Sequence, residues 1–182
     1  MDPRSYRVEE RLQSGTLATI RAVRPDDKQR LLDAFEKLHP ETIYKRWFSH
    51  KKELTEDELR HITEVDFDRE VILVVTTGAV EQETVIAAAR YVRGAEADGA
   101  EISFVVEEDY QGQGLARRLL EHLARIARTH GIARFHALVL AENRPMLAVF
   151  ARSGLPMEQQ RHSGEVSVTL ALDAQNFSGT NL

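Results

Sequence analysis

Between Phe104 and Leu120 the sequence reads FVVEEDYQGQGLARRLL, an apolar strand that runs through three acids into a double-glycine turn and then a helix. Such a junction can hold a phosphate. The free amides of a helix's first turn and the positive end of its dipole face an anion together, and glycines let that anion approach the backbone closely. Three readings of the turn compete. A dinucleotide fingerprint needs a small residue at the sixth position of G-x-G-x-x-G, and counting from Gly112 that position is Arg117, too large for close helix–strand packing. A P-loop needs Gly-Lys-Ser/Thr, and neither the lysine nor the metal-binding hydroxyl follows here. A tight turn that binds nothing stays open on these residues alone, because short motifs match often by chance.

The six residues Gln111, Gly112, Gln113, Gly114, Leu115 and Ala116 also fit the acyl-CoA-binding signature Gln/Arg-x-x-Gly-x-Gly/Ala. In that reading the turn cradles the coenzyme's pyrophosphate. The formal net charge of the whole chain is -5, so bulk electrostatics repel nucleic acid and an anionic coenzyme alike, and any attraction for a coenzyme must be local. The chain has no cysteine, which rules out a disulfide scaffold, a thiolate zinc site and a covalent cysteine intermediate. The seven histidines are scattered without an i,i+3 or i,i+4 partner, so no metal site is expected. The N-terminal MDPRSYRVEERLQ has no apolar core of a signal peptide, and no apolar run approaches the roughly 20 residues of a membrane span. A cytoplasmic protein without a membrane partner is expected.

The elements that must position the turn follow from periodicity and punctuation. At 182 residues with 42% hydrophobic composition, the chain is long enough for one well-buried domain. Residues 1–14 and 173–182 are polar and read as tails around a domain at 15–172. Gly15–Arg24 reads as a strand, Asp26 and Asp27 suit the first turn of a helix carrying Leu31, Leu32, Phe35 and Leu38, and Pro40 starts a second helix. Thr55 and Glu58 form a capping-box pattern for a third. Glu70–Thr77 and Thr84–Arg93 read as a hairpin about Gly78, followed by a strand at Glu101–Val106. A helical stripe then runs from Leu115 to His130, ahead of a strand at Phe135–Leu140. Asn143 opens another helix, and two short strands close through Ser163-Gly164. This order predicts a mixed α/β (α+β) sheet of about seven strands, with the 115–130 helix a crossover between parallel strands.

A second segment bears on the glycine turn. Asn143–Leu155 reads NRPMLAVFARSGL and resembles the GNAT superfamily of N-acetyltransferases, whose matching helix reads approximately N-x-x-A-x-x-x-Y-x-x-x-G-F. Asn143, Phe150 and Gly154-Leu155 fall in register, with Met146 in place of alanine. Two motifs in the right order, separated by a helix and a strand, are far more specific than either alone. The likeness extends from residue 15 to about 171, nearly the whole chain.

The resemblance implies a mostly antiparallel twisted sheet whose central parallel pair, here Glu101–Val106 and Phe135–Leu140, splays to admit acetyl-CoA. Backbone groups of Phe104, Val105 and Val106 would hold the pantetheine arm, and the amides from Gln111 to Ala116 the pyrophosphate. Arg117 and Arg118 would stand near the phosphates, although a solvated basic face is the plainer account of one of the pair. Asn143 would touch the coenzyme from the far side, with Phe150 beside the thioester. The family's general base is a glutamate placed like Glu101, whose plainer reading is an exposed strand-edge carboxylate. Glu107, Glu108 and Asp109 are weaker candidates, since a charge run at a turn is usually solvated. Family members often carry a tyrosine where Phe150 stands, so the general acid is in question here; Tyr44, Tyr91 and Tyr110 are the remaining phenols considered.

The region ETIYKRWFSHKKELTEDELRHITEVDFDREVILVV resembles the matching part of bacterial protein-lysine acetyltransferases of the Pat type. It implies a protein lysine as acceptor, with a small primary amine as the alternative. Trp47, Tyr44 and Phe48 would be core or acceptor-channel wall, and family members often form homodimers. From a different class, the chain could be a silent acyl-CoA-binding sensor; Phe150 favours that reading and Glu101 opposes it.

Overall fold

The computed structural model describes residues 1–96 and 98–173 of the 182-residue chain. Eight strands form one sheet: β1 (Arg7–Arg11), β2 (Leu17–Ala22), β3 (Glu70–Thr77), β4 (Thr84–Arg93), β5 (Gly99–Val106), β6 (Arg134–Leu140), β7 (Met157–His162) and β8 (Glu165–Ala171). Their spatial order is β1-β2-β3-β4-β5-β6-β8-β7, and every neighbouring pair is antiparallel except β5 and β6. Five helices flank it: α1 (Lys28–Lys37), α2 (Pro40–Trp47), α3 (Glu56–Thr63), α4 (Leu115–Thr129) and α5 (Arg144–Ala151).

Punctuation sets several boundaries. Pro40 occupies the first turn of α2, where its missing N–H costs nothing. Thr55 and Glu58 close a reciprocal capping box on α3. Ser163 and Gly164, at φ 48° and 85°, give the β7–β8 hairpin its two-residue turn.

The N-terminal segment differs from expectation. Residues 1–14 are not a loose tail, because β1 pairs with β2 from Arg7↔Arg21 to Arg11↔Leu17 and makes the eighth strand. One face of β1 turns to α4. Glu10 accepts hydrogen bonds from Arg118 Nη1 at 2.6 Å and from His122 Nε2 at 2.8 Å. A carboxylate at Nε2 fixes the proton there, so the other ring nitrogen of buried His122 accepts from the hydroxyl of Tyr6. The tail expected at 173–182 lies outside the described residues from 174 on.

The two faces of the sheet have separate coverings. Tyr91, Phe104 and Phe135 face α4 and α5: Tyr91 lies 5.9 Å from the Phe135 ring and its hydroxyl meets His130 at 3.2 Å. Arg90, Ser103 and Val105 point the other way, toward α1, α2 and α3. On this second face Arg21 of β2, 1% exposed, makes a two-pronged bond to Asp27 at 2.8 Å and a third to Glu83 at 2.8 Å, which locks the start of α1 to the sheet. Among the described residues no helix is long and apolar enough to cross a membrane.

Candidate active site

The parallel pair is short. It has three rungs, Gly99↔Arg134, Ala100↔Phe135 and Glu101↔His136, after which Ile102–Val106 and Ala137–Leu140 continue without pairing to each other. The strands therefore part, leaving backbone donors and acceptors inside the sheet open to an inserted ligand or water. Phe104 and Phe150 meet edge to face below the opening, ring centres 6.0 Å apart at 62°. Phe150, 1% exposed at the end of α5, is a core residue.

Beyond Val106 the chain makes a single 3-10 turn at Glu108–Tyr110 and enters the glycine loop. Gly112 and Gly114 adopt φ of 75° and 80°, and no atom lies within 4 Å of where a Cβ on Gly112 would stand. Gly114 is also the N-cap of α4, and a glycine brings no side chain to bond the amides of Leu115, Ala116 and Arg117. Those amides stay available to an anion. Gln111 does something else with its side chain: its amide nitrogen donates to the Val106 carbonyl at 3.0 Å and to Thr42 Oγ1 at 3.4 Å, tying the loop to β5 and α2. Gln113 donates to the Asp109 carbonyl at 3.3 Å, while its own Oε1 is buried without a partner.

The two arginines of this turn separate. Arg117 pairs with Glu121 at 3.0 Å on the exposed side of α4. Arg118 is turned to Glu10 at 2.6 Å, an anion supplied by the unforeseen β1. Asn143 caps α5 through its carboxamide oxygen, which accepts from the Met146 amide at 3.3 Å. Tyr91 drops out as an acid, because it is fully buried and bonded to His130 at the far end of α4, and burial pushes its hydroxyl up to about 12. Tyr44 stacks on His50 with ring centres 5.0 Å apart.

On the opposite face a cavity of about 520 Å³ opens between α1, α2, α3 and strands β3–β5. Its walls are largely apolar, including Leu31, Phe35, Trp47, Leu54, Ile62 and Val105. Charged and titratable side chains interrupt that pattern, with Arg46, Asp57, Glu58, His61, Arg90 and Glu107 all in the lining. Glu107 lines the end near the glycine loop, and burial, reinforced by Asp109 and Glu108, pushes its carboxyl up. Glu108 is held down: burial works against it, but bonds from Thr42 and the His39 amide at 2.9 Å prevail. Glu70 is buried at the edge of the cavity and gripped by Arg90 and by His61, each at 3.2 Å.

Glu101 shares this face. Across the sheet Glu70, Val92, Glu101, His136 and Thr169 fall in one register row, so their side chains project together. Glu101 is exposed there, and the charges of Glu101 and Glu70 reach Arg46. Sequence reasoning missed Arg46 and Glu70. Arg46 follows buried Ile43 by three residues on α2, and Glu70 opens a strand that was identified, so facing was the available signal.

Comparison with known proteins follows the same lines. Residues 30–155 match the model of the acetyltransferase (GNAT) family. The chain is 37% identical over 144 residues to the acetyltransferase Pat of Mycolicibacterium smegmatis, covering 79% of this chain and 42% of that protein. It is 27% identical over 137 residues to an acetyltransferase of Pseudomonas aeruginosa, covering 75% of this chain and 74% of that one. The GNAT domain of S. lividans Pat superposes with a TM-score of 0.82 at 33% identity, over 91% of this chain and 96% of that domain. The chain thus spans less than half of the mycobacterial relative and nearly all of the S. lividans domain. By its parted strands, its glycine loop and a family match across more than half its length, the chain belongs to the acetyltransferase (GNAT) family.

Proposed function

We propose that this chain transfers the acetyl group of acetyl-CoA directly to a primary amine, that of a protein lysine, with Glu101 as general base. The observation that carries the reading is the three-rung parallel pair: the strands part immediately beyond Glu101, and β5 leads from that point to the uncapped start of α4. The residues present fit acetyl-CoA. The amides of Gly112 to Arg117 suit its pyrophosphate, the open lip of β5 from Phe104 to Val106 suits its pantetheine, and Asn143 and Phe150 border the opposite lip.

Acetyl-CoA supplies an acyl group activated as a thioester; the chain's own task is the proton. An alkylammonium of pKa near 10.4 is neutral about once in 10³ molecules at pH 7, a penalty of about 4–5 kcal/mol. Glu101 stands on the acceptor face at the point of parting, where its carboxylate takes that proton. A backbone amide near Val105 or Val106 then meets the oxygen on which negative charge develops. Phe150 has no proton to give. A thiol of ordinary acidity leaves near neutral pH without one.

The sequence resemblance to Pat-type protein-lysine acetyltransferases, with two Pat proteins among the similar chains, supports a lysine acceptor. The cavity on the Glu101 face of the sheet, of a size to take a small molecule, favours a second reading, a small primary amine. Thiol release from acetyl-CoA, measured against lysine peptides and small amines, tests both. Release with no amine in the panel would remove the transferase reading, and stabilisation by NADH in place of acetyl-CoA would remove the coenzyme.

A further inference from the structure

Arg46 projects from the last turn of α2 into the cavity, its guanidinium 5.0 Å from the centre of the Trp47 ring. It has five N–H donors. None meets a protein acceptor among the described residues, and no carboxylate lies within 4.0 Å of it. The carboxylates nearby are engaged or out of reach: Glu70 is taken up by Arg90 and His61, and Glu101 is felt by Arg46 only through its field. Burial, with the neighbouring charge of Arg90, holds the Arg46 guanidinium down to about 10, so at neutral pH it is still a cation.

A half-buried cation without an anion is an unusual thing to keep. The Trp47 face and the carbonyl end of α2 relieve part of the cost, but neither satisfies the fork of donors. Arg46 stands one turn of α2 beyond Thr42, which touches Gln111, and the charges of Glu101 and Glu70 reach it on the cavity face of the sheet.

We propose that Arg46 is a specificity residue of the acceptor site, binding a carboxylate carried by the amine substrate. The inference rests on the reading of this cavity as the acceptor site. The substrate class it names is a primary amine bearing a carboxylate within the same cavity: either a lysine flanked by Asp or Glu, or a free amino acid. A planar, always-charged fork suits a carboxylate's two oxygens better than a lysine would.

Two matched pairs of acceptors separate the sources. One is the peptide Gly-Glu-Lys-Gly, blocked at both ends, against its Gln counterpart; the other is 6-aminohexanoate against hexylamine. The wild-type chain should favour the carboxylate member of at least one pair by about tenfold in kcat/KM, chiefly through KM. In Arg46→Gln that ratio should fall to near one, and in Arg46→Lys it should be partly kept. Equal rates within both pairs, or a preference that survives Arg46→Gln, overturns the proposal while leaving the transferase reading intact. Should no amine be acetylated at all, Trp47, the chain's single tryptophan, reports the cavity by fluorescence. A response to 6-aminohexanoate or the Glu peptide that is absent with the neutral partner and lost in Arg46→Gln upholds the inference although the transferase reading has failed. No response overturns it.

Discussion

Glu101 and His136 face each other in the last rung of the parallel ladder, and past them β5 and β6 no longer pair. A carboxylate at the last rung stands where the sheet opens, on the cavity side of the sheet. Glu101→Gln should therefore lower kcat/KM at pH 7 by about 10²–10⁴. Stabilisation by acetyl-CoA, read as a shift in melting temperature, should be unchanged. Full activity in the variant would take Glu101 out of the mechanism.

The glycine loop can be tested through its backbone. At φ 75°, Gly112 holds a conformation that costs a residue with a Cβ about 1–2 kcal/mol, although the space beside it is open. Gly112→Ala should lower the unliganded chain's stability by about that much and reduce the acetyl-CoA shift. If the acetyl-CoA shift is unaltered, the loop does not hold the coenzyme.

Arg21 anchors two buried carboxylates. Arg21→Met takes the buried counter-ion from Glu83 and leaves Asp27 only the half-exposed Arg30 at 3.3 Å, and should cost about 3–5 kcal/mol in urea unfolding. Acid should act through the same group. Burial opposes ionisation of Asp27, but the Arg21 bonds outweigh it and hold the carboxyl below its ordinary value. A depressed folded-state pKa gives stability that is fully present above about pH 4 and lost as pH falls through the folded value. The urea midpoint should thus drop on acidification below about pH 4 in the wild type.

Tyr6→Phe removes the hydroxyl that donates to the buried ring nitrogen of His122. An unmet acceptor of this kind costs about 1–3 kcal/mol, measurable by denaturant unfolding. No loss would mean that water takes the hydroxyl's place and that β1 is held to α4 by Glu10 alone.

Much of this arrangement was legible in the residues. The stripe of Leu115, Leu119, Leu123 and Ile126 marked α4, the Thr55–Glu58 box started α3, and Ser163-Gly164 marked the last hairpin. What failed was β1. Its RVEER sequence carries charge on both faces, because one face meets solvent and the other meets Arg118 and His122, and hydrophobic alternation cannot report a strand whose inward partner is an ion pair. The partner of Arg118 was hidden for the same reason: its carboxylate lies 108 residues away in sequence. Within the site, Phe104 and Phe150 could be named from motifs, but their edge-to-face contact depends on the packing of α5. Arg46 was hidden because a charged residue beside Trp47 reads as helix surface until the neighbouring carboxylates are found to be engaged elsewhere.

The parted strands give this sheet four edges where a continuous one has two. The outer pair is guarded by sequence: Arg7, Glu9 and Arg11 on β1, and Glu158, Gln160 and Arg161 on β7, discourage another chain from adding a strand. The inner lips have no such guard, and Leu138 on one of them is 49% exposed. An unliganded molecule carries an unsatisfied, partly apolar slit in its own centre, so the ligand that fills it acts also as a missing strand. Preparations kept saturated with coenzyme should accordingly be slower to aggregate on warming than those stripped of it, by a route in which the chemistry of transfer plays no part.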